Sequence, residues 1–240
     1  MSRDDGATRL LDLPDDGRTF SAERRVRLSD TTPDGLLRFD ALARYVQDVA
    51  SDDARETMTA SYLAWVVRRA VLDVPTAPSS EETCTLTTWC AGYGPRWAER
   101  RTRLVGEDGG HCEAVVLWVA IDPETAAPAR LPDTFHAAYD VAAAGRRVTA
   151  RLQHDDPPDG ASVRPWRFRA GDLDRLGHVN NAAYAVVVEE LAAGGLERPT
   201  RLEIEYRAPI GPGETVSLVG DHASWWLTGE DGVRASFTLG

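Results

Sequence analysis

An α+β fold made of two similar halves is predicted by three features of the sequence. A run of helical period stands near residue 39 and another near residue 181, and strand-like segments follow each. Those segments alternate: Leu202, Ile204 and Tyr206 interleave with Arg201, Glu203, Glu205 and Arg207, the pattern of a sheet with one buried face. A chain of 240 residues is also long for one small domain and comfortable for two units of about 110 to 120 each.

Taken in order, residues 1–18 are polar, Asp-rich and turn-prone, and read as a loose leader. The first helix is expected from near Phe39 to about Met58, because Phe39, Leu42, Val46, Val49 and Ala50 fall on one helical face. Strands are expected over about 64–74, 83–91, 97–106 and 112–121. Residues 122–160 are rich in Ala, Pro, Gly and Asp and connect the halves; the linker proper is placed at 141–160, between units 19–140 and 161–240. The second helix begins near Asn181, with Tyr184, Val187, Val188 and Leu191 on one face. Asn180 or Asn181 suits its N-cap, since the side chain accepts from the first unpaired amides. Strands then follow over 201–207, around Val216 and Leu218, over 225–227 and over 233–239, separated by Gly211-Pro212-Gly213 and Glu230-Asp231-Gly232.

The bulk properties exclude several classes. A net charge of −11 argues against a nucleic-acid partner, which needs a basic face. Every basic side chain except histidine is arginine, with clusters at Arg96, Arg100, Arg101 and Arg103 and at Arg146, Arg147 and Arg151. Such clusters fit solvated strand faces, or a local patch for an acidic carrier protein or a nucleotide phosphate. The longest apolar run, 114–121, is far short of the roughly 20 residues of a membrane span. No apolar segment follows a basic start, so a secretory signal is not expected and the cytoplasm is the expected compartment. Cys84, Cys90 and Cys112 are odd in number and lack CxxC spacing, which reads as strand residues in a reducing compartment rather than a disulfide or metal site. No cofactor is expected.

The stretch Gly171-Asp172-Leu173-Asp174-Arg175-Leu176-Gly177-His178-Val179-Asn180-Asn181-Ala182-Ala183-Tyr184 resembles the D-x-x-G-H-V-N-N-x-x-Y segment of hot-dog thioesterases. Over about residues 20–239 the chain resembles, in order, the acyl-ACP thioesterases of plants and bacteria. The first half contributes Phe39-Asp40-Ala41-Leu42 through Gln47-Asp48, Trp65-Val66-Val67-Arg68-Arg69, Thr88-Trp89, the 116–122 segment and Arg130-Leu131-Pro132. The second contributes Glu205-Tyr206-Arg207. The resemblance implies two tandem hot-dog domains paired as a pseudo-dimer, each a long helix wrapped by a curved antiparallel sheet. It also implies that the first holds the acyl chain and the second carries the chemistry. The first-half loop over 30–39 has no His or Asn, so one active site is expected.

Thioester hydrolysis needs an activated water or a nucleophile, and donors facing the carbonyl oxygen as it becomes negative. Asp174 is the expected general base or nucleophile. His178 is expected to orient carbonyl or water, and Asn180 or Asn181 to hold the water or the carboxylate. Amides around Gly177, His178 and Val179 are expected to be unpaired at the helix start, with Gly177 allowing close backbone approach. Read singly, each residue equally fits a turn, a structural histidine or a cap. Asp172 is the rival carboxylate, facing the other way if extended. Two departures from the family stand out: Leu176 replaces an Asn, and Pro209 and Ile210 stand where a Glu and, in plants, a Cys follow the Tyr206 strand. Glu203, Glu205 or Glu214 then become candidates for the missing acid.

The expected activity is hydrolysis of fatty acyl thioesters, on acyl carrier protein ahead of acyl-CoA. The alternatives are a hot-dog hydratase or dehydratase and a catalytically weak acyl-binding protein. Trp65, Trp89, Trp118, Trp166, Trp225 and Trp226 are candidates for an acyl tunnel or for core. The chain is expected as a monomer or a homodimer.

Overall fold

The computed structural model describes residues 11–59 and 64–240. Among the described residues there are ten strands: β1 (Thr19–Arg25), β2 (Ala64–Thr76), β3 (Thr83–Tyr93), β4 (Trp97–Gly106), β5 (His111–Ile121), β6 (Ser162–Arg167), β7 (Arg201–Tyr206), β8 (Thr215–Asp221), β9 (Ser224–Gly229) and β10 (Gly232–Leu239), of which β1 and β6 lie outside the segments expected from the sequence. Three helices accompany them: α1 (Phe39–Glu56), α2 (Asp133–Ala143) and α3 (Val186–Ala193), the last entered through a 3-10 turn over Asn181–Ala185.

All ten strands join one antiparallel sheet in the order β1-β3-β4-β5-β2-β7-β10-β9-β8-β6. Matching each half's strands in chain order makes that sequence the same from either end, with β2 and β7 at the centre. Their seam pairs Ala70 with Ile204 and Leu72 with Leu202, and Arg201 reaches Asp73 at 2.6 Å beside it. One face of the sheet carries α1, whose Phe39, Leu42, Val46 and Val49 are buried in the main core with Leu72, Leu86 and Leu104 from the strands.

The repetition reaches single hydrogen bonds. In the first half Thr32 N–H donates to Leu36 O, Gly35 N–H to Thr32 O, Leu37 N–H to Pro78 O and Arg38 N–H to Asp30 O. In the second, Asp174 donates to His178, Gly177 to Asp174, Val179 to Ile210 and Asn180 to Asp172 in the same way. Gly35 and Gly177 sit at φ +80° and +77°, a left-handed turn position that favours glycine. The role of Gly177 is therefore the turn itself.

One expectation needs correction. The connection holds α2, which begins after Pro132 and buries Phe135, Tyr139 and Ala143 in a second small core with Cys90, Tyr93, Ala98 and Leu131. The loose leader over 1–18 lies outside the described residues as far as residue 10. At its end Gly17 lies close to α2: a side chain there would meet the backbone nitrogen of Ala142 at 2.4 Å. Beyond α2 the chain crosses the opposite face of the sheet. Its amides at Gln153 and His154 are received by Glu205, which is 0% exposed. The three cysteines are free and buried on β3 and β5. Among the described residues, no helix is long and apolar enough to cross a membrane.

Candidate active site

A cavity of about 500 Å³ lies between α1 and the sheet of the first half. Its wall is built from Gln47, Ala50 and Ser51 of α1, Trp65, Cys90, Ala98, Arg100 and Trp118 of β2 to β5, and Phe135 and Tyr139 of α2. One end is supplied by the other half: Asp174, Arg175, Leu176, Asn180 and Asn181. Arg175 and Leu176 are exposed, so that end opens at the surface.

Asp174 is half-buried against the cavity. Its Oδ1 accepts the Leu176 amide at 2.8 Å, which fixes the carboxylate within its own turn, while Oδ2 has no partner among the described residues. Asn180 caps the following turn, its Oδ1 accepting from the Ala182 amide at 2.9 Å. Asn181 lines the cavity, and its carbonyl accepts the Tyr206 hydroxyl at 2.9 Å, tying the loop to β7. Asp172 receives the Arg169 amide at 2.7 Å, which makes it a cap, and it does not line the cavity.

Other expected residues stand elsewhere. His178 is exposed, lines no part of the cavity, and its ring has no partner among the described residues. The amides of Gly177 and Val179 are not unpaired: the first closes the turn onto Asp174 and the second bonds Ile210. A hydrogen already donated inside the fold cannot serve a substrate oxygen without breaking that bond, which corrects the expectation for both. Glu203, Glu205 and Glu214 face Arg69, the Gln153 and His154 amides, and Arg234 respectively, and none lines the cavity.

The pseudo-symmetry identifies a different donor. Phe39 starts α1 as Asn181 starts the second helical segment, and the Phe39 amide is occupied by Glu189 Oε1 of α3 at 2.7 Å. The residue equivalent to Glu189 is Gln47, which lines the cavity beside Asn181. No acceptor meets the Asn181 amide among the described residues. One junction is thus closed by a carboxylate, and at the other the N–H of a cavity-lining residue has no acceptor among the described residues.

Deeper in, the wall turns polar. Arg100 is 9% exposed and its Nη1 donates to Asp53 Oδ2 at 2.6 Å. Asp53 also accepts from Arg18 Nε at 2.6 Å and from the Tyr139 hydroxyl at 2.8 Å. An unpaired charge buried here would cost on the order of several kcal/mol, so Asp53 is what allows Arg100 to stay. The helical spacing of Phe135, Tyr139 and Ala142 after Pro132 was a signal for α2 and its two cavity residues. The Arg100 to Asp53 pairing had none, because it joins a strand to a helix far away in the chain. Of the tryptophans, Trp65 and Trp118 line the cavity, whereas Trp89, Trp225 and Trp226 are buried apart from it.

Comparison with known proteins adds three findings. The profile of the acyl-ACP thioesterase N-terminal domain matches residues 17–139, and that of the C-terminal domain matches residues 156–237. Uncharacterised proteins from two strains of Mycobacterium tuberculosis are each 29% identical over 234 residues, 96% of this chain and 91% of theirs. Among solved structures, a provisionally assigned oleoyl thioesterase from Lactobacillus plantarum is similar with a TM-score of 0.79 at 18% identity, covering 95% of this chain and 96% of that one. The 12:0-ACP thioesterase from Umbellularia californica is similar with a TM-score of 0.73 at 18% identity, covering 92% and 96%. At that identity the likeness to both structures is one of fold.

Proposed function

The chain belongs to the acyl-ACP thioesterase family, and from that premise we propose that it hydrolyses fatty acyl thioesters carried on acyl carrier protein and releases the free acid. The observation that carries the reading is the meeting of Asp174 and the unpaired Asn181 amide at the open end of a cavity walled mainly by the other half. In this reading the unit 19–140 holds the acyl chain and the unit 161–240 acts on the thioester.

The chemistry follows from the two groups. A thioester carbonyl set against the Asn181 N–H gains a hydrogen bond that strengthens as the oxygen becomes negative. Asp174, with Oδ2 unoccupied, takes a proton from water as the water oxygen bonds to the carbonyl carbon. The tetrahedral intermediate then expels the thiolate, the carbon–sulfur bond breaks, and the proton held by Asp174 passes to sulfur. Gln47 and Asn180 line the same end and are placed to hold the water. Leu176, 58% exposed where the family has an Asn, leaves this role to them.

The test is thiol release by the purified protein from matched acyl-ACP and acyl-CoA series. Turnover of acyl-ACP with a higher kcat/KM than the CoA ester of the same chain is expected. Faster turnover of the CoA esters would move the carrier assignment, and an unsaturated product from a 3-hydroxyacyl thioester would indicate a hydratase. No thiol from any chain length would overturn the reading.

A further inference from the structure

Arg100 stands apart from the other charged residues of the cavity wall, Asp48, Asp174 and Arg175, which are exposed or half-buried. It lies deep, on β4, where an acyl pocket made only for hydrocarbon would carry apolar side chains. A guanidinium carries five N–H donors. Its Nη1 serves Asp53 at 2.6 Å and lies 3.5 Å from Thr88 Oγ1, but Nε and Nη2 have no acceptor among the described residues. The Trp118 ring lies on the same wall, with its Nε1 shut away from the cavity space. Trp118 pairs across strands with Ala98, two residues from Arg100, so both side chains stand on one face of the sheet.

The local charge is already balanced. Arg18 and Arg100 share Asp53, and Arg18 also meets Glu56 at 2.8 Å, giving two cations and two anions. An added carboxylate would have no net positive field to receive it, whereas a neutral oxygen needs only the waiting hydrogens.

We propose that the cavity takes an acyl chain bearing a neutral oxygen acceptor, a hydroxyl or an oxo group, which hydrogen-bonds to Arg100. As a statement of substrate class the proposal rests on the thioesterase reading. As a statement of binding it is tested separately.

The experiment titrates the whole protein with saturated free fatty acids and with hydroxy and oxo acids of the same lengths, oxygenated at successive positions. At least one oxygenated position is expected to bind about tenfold or more tightly than the saturated acid of equal length, the range of a hydrogen bond to a charged donor. Arg100→Leu should abolish that preference while saturated acids bind as well or better. Should that variant fail to fold, Arg100→Lys keeps a cation for Asp53, removes the planar fork, and is expected to lose most of the preference. Saturated acids binding as well as every oxygenated counterpart would overturn the proposal, as would a preference that survives in Arg100→Leu. Tightest binding of dicarboxylic acids would overturn the neutral acceptor. The same panel as thioesters separates the two readings, since selective binding without thiol release would remove the hydrolase and leave the Arg100 assignment standing.

Discussion

Phe39 and Asn181 occupy equivalent positions, and the difference between a closed and an open junction comes down to one acid and one amide side chain, Glu189 and Gln47. The open junction makes Asp174 the residue on which rate should depend. In Asp174→Asn the amide oxygen can still accept the Leu176 N–H, so the turn should persist and the melting temperature should hardly move. Loss of a general base should lower kcat by about a hundredfold to ten-thousandfold. His178→Ala is expected to cost much less, because the ring faces solvent. Steady-state kinetics on both variants check the ranking, and equal losses would show that the ring turns inward when substrate binds. At this scale Asp174, Asn180 and Asn181, which the motif singled out, line the cavity. Two of the amides it singled out are paired, because the Val179 bond to Ile210 and the Gly177 turn are set by folding around them. Arg100, Tyr139 and Gln47 escaped because a strand arginine, a helix tyrosine and a helix glutamine look ordinary until the sheet and α1 enclose them.

The start of α1 shows how an element stores its sensitivity to acid. Asp40, 3% exposed in the first turn, is pushed upward by burial, but the guanidinium of Arg38 at 2.7 Å and that of Arg44 outweigh it and hold its pKa below the ordinary carboxylate range. A carboxylate with a folded pKa below its unfolded value contributes stability above the unfolded value, near pH 4, and loses it as pH falls through the folded one. Denaturant titrations from neutral to acid pH should therefore show stability falling below about pH 4. In Asp40→Asn stability should be lower at neutral pH and this acid limb shallower. An unchanged limb would place the sensitivity elsewhere. Among the elements, α1, β2 to β5 and β7 to β10 were readable, since their apolar positions repeat at helical or strand spacing. The helix α2 does show helical spacing at Phe135, Tyr139 and Ala142, but it stands among Ala, Pro and Asp that read as a connection. Edge strand β6, almost wholly exposed and containing Pro165, carries no alternation to read.

Across the whole molecule, the sheet passes through the β2 and β7 seam without a break, and the segment after α2 is fastened to the far half by buried Glu205. Neither half has its own closed sheet, so both should unfold in one transition, with circular dichroism and tryptophan fluorescence tracing the same denaturant curve. Two separated midpoints would contradict this. The repeated order of helix and strands was legible from the sequence. That a loop of one half completes a cavity of the other was not, because it depends on how the copies face each other across the seam. The buried cysteines bring a practical consequence. Burial pushes Cys84 up to about 12 and Cys90 up to about 11, and raises Cys112 likewise, so none supplies thiolate at neutral pH. A colorimetric sulfhydryl reagent added to the native enzyme should therefore report coenzyme or phosphopantetheine and almost nothing of the protein, and the chain's own sulfur should enter the colour only once the sheet comes apart.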